Sequence, residues 1–237
     1  LAHKGSDTSS SWFWEPVKLN KMAREYNPKM IMNPRSGWEG NFYCDEGSHE
    51  ITGKIIPVPW EKNMCVCSGC SWGWMADDPV SDFDWLIHML VDVVTRDGNL
   101  LLNVGPDKNG HIRPDVAERM RQIGAWLREN GDTIYKTRGG PIEPVDHVYG
   151  TTYRENEIFL HILDTEAFRN EVLPSIPYEI TSCTYKGEAL CFTQDEAQIQ
   201  IQLPENLEKE ADTIIRIRLK ECVREKEQME IHFTGKE

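Results

Sequence analysis

The sequence predicts an α/β fold for its first 140 residues and a small antiparallel β domain, of the sandwich type, for residues 141–237. Two patterns support this prediction. In the first part, segments with helical spacing alternate with short apolar runs, which is typical of α/β architecture. Beyond Gly139-Gly140-Pro141, apolar residues alternate with a period of two, which indicates strands that bury one face.

The first predicted elements are a helix and a short strand. A helix is expected from Glu15 to Asn27, because Pro16 suits a first turn and apolar residues recur at helical spacing. The apolar run Met30–Met32 then predicts a buried parallel strand. Residues 34–75 are rich in Gly, Pro, Trp and Cys and show little helical period. A loop of that length in a compact domain more often carries a function than merely connects two elements.

Two more helices flank a leucine-rich strand. The second helix is expected to be capped by Ser81 and to end at Gly98. The segment Asn99–Gly105 follows as a strand that is apolar on both faces, as in a parallel barrel sheet. Pro114 then opens a third amphipathic helix, which ends near Gly131.

Three alternating segments predict strands in the β domain. Their inward-facing residues are Ile158, Leu160 and Ile162; Ile199, Ile201 and Leu203; and Ile215, Ile217 and Leu219.

The charge balance excludes some partners. The chain has 26 basic and 39 acidic residues, a formal net charge of -13. Nucleic-acid binding needs clustered Lys and Arg, and anionic membranes attract basic segments, so we expect neither partner. No apolar run reaches the ~20 residues that cross a bilayer. Residues 1–11 lack the basic-then-apolar pattern of a signal peptide, and the compartment cannot be read from them.

The seven cysteines cannot all pair with one another, because their number is odd. Cys65, Cys67 and Cys70 crowd together, either as a metal or redox cluster or as small residues around a strand end. A second Cys/His pair at zinc-finger distance is missing, although Cys44 and His49 lie upstream. We therefore expect no metal.

Three motifs follow one another in a fixed order. The first is Trp60-Glu61 with S-W-G-W at 71–74, and the second is G-N-L-L-L-N-V-G-P at 98–106 with N-G-H-I at 109–112. The third is I-G-A-W-L at 123–127 with N-G-D-T-I-Y at 130–135. Together they resemble glycoside hydrolase family 29, the α-L-fucosidases, over residues 12–138. Taken singly, Leu100–Leu102 and Trp126 are also explained by core packing.

The resemblance implies a fold and an activity. The family removes terminal α-L-fucose from glycans by a retaining mechanism, so fucosylated glycans are the expected partners and no cofactor is implied. Its members are often secreted, periplasmic or lysosomal. A complete eight-stranded barrel usually takes about 250 residues. About 140 residues precede the β domain here, so the expected α/β part is a partial (β/α)8-type barrel. The oligomeric state stays open.

The resemblance also points to an acid/base residue. Asn33-Pro34-Arg35 matches the N-x-R of the family, and residues 40–46 match its carboxylate segment, with Asn41 and Cys44 departing from the pattern. Glu46 is the predicted general acid/base and Glu50 the alternative; either could instead be an ordinary surface acid. To act as an acid near neutral pH, Glu46 would need its pKa raised by burial or by a neighbouring carboxylate.

Aromatic residues of the long loop are candidates for substrate binding. By resemblance, Trp72 packs on the methyl-bearing face of the sugar and Arg35 donates hydrogen bonds to it. Trp38 and Trp60 could supply further apolar walls. The alternatives are a core position for Trp72 and a purely structural salt bridge for Arg35.

The nucleophile of the family does not match. The resemblance places an Asp three residues before the position of Trp12, where this chain has Ser9. Asp7 is offset by two residues, roughly 7 Å along a strand, which is too far for a catalytic carboxylate. We therefore predict that this chain alone is inactive or nearly so. The alternative is a non-catalytic carbohydrate-binding or interaction fragment that acts through the β-sandwich and the Trp-rich loops.

Overall fold

The structure is a computed structural model, and it describes residues 15–36, 40–46, 50–69 and 72–224. It begins with helix α1 (Pro16–Tyr26), which has Pro16 in its first turn as predicted. A single 3-10 turn, Pro34–Ser36, follows. The strand predicted at Met30–Met32 is wrong: this segment has no regular secondary structure, and Ile31 is 71% exposed. Within the described ranges its backbone bonds to Asn27 and Asn41 and pairs with no strand.

A three-stranded parallel sheet forms the centre of the α/β part. It consists of β1 (Tyr43–Glu46), β2 (Trp60–Cys65) and β3 (Asn99–Asn103) in that order. Tyr43 lies opposite Trp60, and Glu61 opposite Asn99. The sheet and its helices confirm the predicted α/β class, but β1 and β2 lie within residues 34–75, where only a loop was predicted.

Two long helices accompany the sheet. Helix α2 (Phe83–Thr95) lies between β2 and β3, and helix α3 (Pro114–Asn130) follows β3. Both helices were predicted, but the cap at Ser81 is wrong. The residue at the N-cap of α2 is Asp82, and its side chain makes no capping hydrogen bond.

The two faces of the parallel sheet differ in chemistry. Trp60 and Met64 of β2 pack with Met89 and Val93 of α2 in an apolar cluster. Since side chains alternate along a strand, Glu61 and Asn63 of β2 point to the opposite face. The register places Glu46 beside Asn63 on that face, and Cys65 beside Asn103. One face therefore serves helix packing and the other is polar.

After α3, the described residues form nine short strands and a one-turn helix, α4 (Thr165–Phe168). The strands are β4 (Arg138–Gly139), β5 (Tyr149–Arg154), β6 (Glu157–Ile162), β7 (Leu173–Pro174), β8 (Ile180–Tyr185), β9 (Glu188–Ala189), β10 (Phe192–Gln194), β11 (Gln198–Ile201) and β12 (Thr213–Leu219).

These strands form two antiparallel sheets, in the orders β4-β5-β6-β12-β8-β9 and β10-β11-β7. One apolar core joins them, with Leu173 and Ile199 contributed by the smaller sheet and Ile158, Leu160 and Ile217 by the larger. The three strands predicted from period-two alternation are confirmed as β6, β11 and β12.

Polar contacts tie the α/β part to the β domain. The fully buried Arg96, at the end of α2, donates hydrogen bonds to Asp92 and to Asp146 of the β domain, at 2.8 and 2.7 Å. Thr152 Oγ1 of β5 donates to the Thr133 carbonyl oxygen at 2.7 Å. The two parts therefore meet across a defined interface.

Within the described ranges, no helix has both the length and the apolar content needed to cross a bilayer.

Candidate functional site

The Arg35 guanidinium forms an ion pair with the Glu46 carboxylate at the carboxyl end of β1. The Arg35 side chain is 45% exposed and that of Glu46 is 21% exposed, so the pair opens to solvent. In α/β sheets, ligands bind outside the carboxyl ends of the strands. The position of this pair makes it the first candidate for a binding or catalytic site.

A tight backbone contact brings Arg35 to Glu46. A Cβ at Gly40 would lie 2.5 Å from the Pro34 nitrogen, so the segment that leads into β1 can approach the 3-10 turn this closely with glycine at that position. The side chain of Asn41 adds two hydrogen bonds. Its Oδ1 accepts from the backbone of Met32 and from Arg24 Nη2, each at 2.9 Å. The turn with Arg35 and the strand with Glu46 are thus fastened to each other.

Cys44 and Glu61 complete this cluster on the same face of the sheet. Burial raises the pKa of the Cys44 thiol, and the negative charge of Glu61 raises it further. The nearby Arg35 guanidinium, through its charge and a hydrogen bond, partly opposes both effects. Arg35 therefore faces a thiol and the Glu46 carboxylate, with the Glu61 carboxylate close by.

Trp72 lies at the carboxyl end of β3, which is separated from β1 by β2. The Asn103 side chain at the end of β3 donates from Nδ2 to the Trp72 carbonyl oxygen at 3.1 Å. Gly105 permits the contact, since a Cβ there would lie 2.5 Å from the backbone of Gly73. The Trp72 side chain itself is 43% exposed. The backbone is therefore fixed while the indole remains available to a ligand.

A buried ion pair fixes β1 on β2 from the other face. Lys62 Nζ lies 2.7 Å from Asp45 Oδ2, and the Lys62 side chain is fully buried. Asp45 directly precedes Glu46, and the two residues lie opposite Lys62 and Asn63 in the parallel register. This pair secures the strand that presents Glu46 to the polar face.

The predicted site residues other than Trp60 fall into three groups. The structure brings Arg35 and Glu46 into contact and places Trp72 at the same carboxyl edge of the sheet. Glu50, the alternative acid, lies beyond the end of β1 and is exposed. Trp38 and Ser9 lie outside the described residues.

The expectation that Trp60 walls the binding site is corrected. Its side chain is 1% exposed, and its Nε1 donates to the Arg96 carbonyl oxygen at 2.9 Å. A Cβ at Gly98 would lie 2.3 Å from the Trp60 ring, so the indole is held against this glycine. The ring belongs to the core between β2 and α2, where a sugar cannot reach it.

Three polar residues of the sheet face were not singled out from the sequence: Glu61, Asn63 and Asn103. The signal was present, because Glu61 and Asn63 occupy alternate positions of a strand whose other face carries Trp60 and Met64. Asn63 is 9% exposed, and its Oδ1 accepts no hydrogen bond from the described part of the chain. It can therefore accept one from a hydroxyl at this edge.

The cysteine cluster does not assemble a metal site among the residues that the structure describes. Within those ranges no group of three or more His, Cys, Asp or Glu is placed to hold a metal ion. Cys65 Sγ accepts from Asn103 Nδ2 at 3.9 Å, and burial raises the pKa of the Cys67 thiol. Cys70 lies outside the described residues. The described side chains at the sheet edge supply the Glu46 and Glu61 carboxylates, the Cys44 thiol, the Arg35 guanidinium, amides and an indole.

Comparison with known proteins identifies what the chain resembles. The family model described as alpha-L-fucosidase matches residues 3–132, which include Arg35, Glu46 and Trp72. The plasma alpha-L-fucosidase of Pongo abelii is 38% identical over 116 residues, which is 46% of this chain and 24% of that protein. The tissue alpha-L-fucosidase of Homo sapiens is 29% identical over 191 residues, or 75% of this chain and 41% of the relative. The chain thus spans less than half the length of either relative.

Solved structures with the same fold include two bacterial enzymes. Alpha-L-fucosidase isoenzyme 1 of Paenibacillus thiaminolyticus superposes with a TM-score of 0.75 at 24% identity, over 88% of this chain and 54% of that one. The Thermotoga maritima alpha-fucosidase in complex with fucose gives a TM-score of 0.63 at 25% identity, over 82% of this chain and 46% of its own.

Proposed function

We propose, from the premise that this chain belongs to the α-L-fucosidase family, that it derives from an enzyme that hydrolyses terminal α-L-fucose from glycans with retention of configuration. Its parallel sheet is then part of a (β/α)8-type barrel. The observation that carries this proposal is the Arg35–Glu46 pair, which lies at the carboxyl end of a parallel strand. In barrel enzymes this edge is where catalytic residues lie. Fucose is also the ligand named for the related Thermotoga maritima enzyme.

Each residue of the edge has a role in this proposal. Glu46 is the general acid/base. Arg35 donates hydrogen bonds to the sugar and orients the Glu46 carboxyl group. Trp72, with its exposed indole, packs on the apolar methyl-bearing face of fucose, and Trp38 supplies a further wall.

The retaining reaction needs two carboxyl groups about 5–5.5 Å apart. In the first step, Glu46 gives its proton to the leaving glycosidic oxygen while a second carboxylate forms a bond to the anomeric carbon. In the second step, Glu46 takes a proton from water, whose oxygen displaces that carboxylate. The family resemblance places the second carboxylate at position 9, where this chain has serine. A serine hydroxyl is not a carboxylate, so we propose that the chain alone does not complete the first step.

Two measurements test this function. Incubation of the purified chain with an aryl α-L-fucoside should give no release of the phenol above background. Turnover that disappears in Glu46→Gln would instead establish an active enzyme. Titration with L-fucose, followed by NMR, should shift the indole resonance of Trp72 and the side-chain resonance of Arg35. If L-fucose moves neither resonance, the sheet edge is not the sugar site.

The alternative of a non-catalytic interaction fragment has weaker support. The family match covers residues 3–132, so it lies on the α/β part and includes Arg35 and Glu46 rather than the β domain. This distribution favours descent from the enzyme.

A further inference from the structure

A cavity lies between the α/β part and the β domain, with a volume of about 580 Å³. Phe83 of α2 and Trp126 of α3 line one side, and Tyr185 of β8 and Arg216 of β12 line the other. None of the described residues at the Arg35–Glu46 edge contributes to its lining. The volume is within the range of about 300–1,000 Å³ that is typical of small-molecule sites.

Asp212 lies in the wall of this cavity and its carboxylate is held in the core behind the wall. The residue is 4% exposed and lines the cavity. His161 Nδ1 lies 2.7 Å from its Oδ2, and His161 Nε2 lies 3.2 Å from Thr152 Oγ1, so the carboxylate is held from behind. Its Oδ1 is buried and has no hydrogen-bond partner in the described part of the chain. The Asp212 side chain is itself fully buried, so its carboxylate lies behind the cavity wall and only the rest of the residue is exposed to the cavity.

A second polar group lies at the other side of the cavity. Glu210 accepts a hydrogen bond from Tyr185 Oη at 3.0 Å, and its other oxygen lies 2.6 Å from Lys186 Nζ. These contacts hold the Tyr185 ring at the cavity wall and orient Glu210. The site is therefore built before a ligand arrives.

The charges of the lining exclude an anionic ligand. Acidic and basic groups nearly balance: the residues are Asp84, Glu129, Glu210 and Asp212 against Lys186, Lys209 and Arg216. Two of the cations already have carboxylate partners, since Arg216 binds Asp132 at 2.7 and 3.0 Å and Lys186 binds Glu210. A phosphate would meet a site with no excess positive charge. A neutral ligand with many hydroxyl groups can hydrogen-bond to both the acidic and the basic side chains of this lining.

We propose that this interdomain cavity is a non-catalytic binding site for a neutral saccharide unit. Three aromatic side chains, Phe83, Trp126 and Tyr185, offer apolar surface to sugar C–H groups, while the partly exposed Glu210 carboxylate accepts from hydroxyls. The site is separate from the Glu46 edge, and the inference does not depend on catalysis there. It gives the chain a second point of contact with a glycan.

NMR titration of the whole chain tests the proposal. The probes are fucosyllactose, lactose and a glucose phosphate, and the reporter is the indole resonance of Trp126, assigned with Trp126→Phe. A neutral sugar should shift this resonance at concentrations up to about 20 mM, well above the millimolar affinities of weak sites. No shift with either neutral sugar, or tighter binding of the glucose phosphate, would overturn the proposal.

Matched variants locate the binding. Tyr185→Ala removes an aromatic wall and should weaken binding at least about fivefold, the effect of losing one modest interaction. Tyr135→Ala, at an exposed tyrosine outside the cavity lining, should leave it unchanged. If Tyr185→Ala does not fold, Lys186→Ala replaces it, with Lys220→Ala at an exposed Lys–Glu pair as control. Equal affinity in variant and control would contradict the assignment.

The Glu46→Gln variant separates this proposal from the catalytic one. Binding at Trp126 should be the same as in the parent chain, whatever happens to L-fucose at Trp72. Loss of the Trp126 shift in Glu46→Gln would mean that the two regions form one site, and the proposal of a separate cavity site would fail.

Discussion

Arg35 and Glu46 meet at the carboxyl end of β1, where the backbone that leads into β1 packs against the backbone just before Arg35. Gly40 packs against the backbone of Pro34. The Asn41 backbone N–H donates to the Met32 carbonyl oxygen, and Asn41 Oδ1 accepts from the Met32 N–H. The contact is therefore a property of local backbone packing as much as of charge. An exposed ion pair of this kind adds little stability on its own.

Gly40→Ala should separate Arg35 from Glu46 and destabilise the chain. The new Cβ would lie 2.5 Å from the Pro34 nitrogen and 2.6 Å from the Asn33 carbonyl carbon, so one segment must move. Overpacking of this kind costs roughly 1–3 kcal/mol. Urea unfolding measures the free energy, and the NMR shift of the Arg35 side chain reports the lost contact.

Gly124→Ala is the matched control. Gly124 lies inside α3, and the nearest atom to a new Cβ is Arg128 Nη1 at 3.8 Å. Alanine there should stabilise the helix by up to about 1 kcal/mol. If both glycine variants change the unfolding free energy in the same direction, the tight contact at Gly40 is not the cause.

Truncation of Trp60 should destabilise the chain far more than truncation of Trp72. Trp60→Ala removes a fully buried ring and should cost about 3–5 kcal/mol of stability. Trp72→Ala removes a 43% exposed ring and should change stability by less than about 1 kcal/mol. Urea unfolding of both variants checks this. A large loss at Trp72 would show that its indole is a packing residue.

Asp45→Ala should destabilise the chain strongly because it deprives the buried Lys62 ammonium of a carboxylate. Loss of one partner of a buried pair costs about 3–5 kcal/mol, whereas replacing both with apolar residues is often neutral. The double variant Asp45→Leu, Lys62→Met should therefore recover most of the loss.

The exposed pair Lys220–Glu179 is the control for this prediction. Glu179→Ala should leave the unfolding free energy unchanged within error, since solvent screens the pair. A double variant at positions 45 and 62 that is as unstable as Asp45→Ala would show that the pair is needed for a specific geometry and not merely for charge balance.

The helices were predictable because their signals are local. Proline in the first turn and apolar spacing gave α1 and α3 nearly to the residue. The Met30–Met32 strand was wrong because an apolar run does not reveal whether another strand lies beside it. The N-cap of α2 was missed by one residue, since Ser81 and Asp82 are both good caps and the backbone decides between them.

The site was predictable to a lesser degree. Family motifs placed Arg35 and Glu46 in one region, but the exposure of a tryptophan depends on what packs on it, so Trp60 could not be assigned from its motif. Alternation along β2 would have placed Trp60 on the helix side. Prediction of the Lys62–Asp45 pair would have required the register between β1 and β2, which the sequence does not contain. The interdomain cavity could not be predicted because its lining residues are distant from one another along the chain.

Cys183→Ala should alter how stability depends on pH above about 9. Burial raises the pKa of Cys183 to about 12, whereas an unfolded thiol ionises near 9. Between these values the unfolded state binds fewer protons than the folded state, so stability falls as pH rises. The contribution of one such group is about 1.4 kcal/mol per pH unit.

The alanine variant lacks this thiol, so its unfolding free energy should fall less steeply between pH 9 and 11 than that of the parent chain. Other groups titrate in this range, but they are common to both proteins and cancel in the difference of slopes. Cys191→Ala, at an exposed thiol of the same domain, is the control for the loss of a cysteine as such. Urea unfolding at several pH values measures all three proteins. Equal slopes for the parent and Cys183→Ala would show that this thiol is not held protonated by burial in the β-domain core.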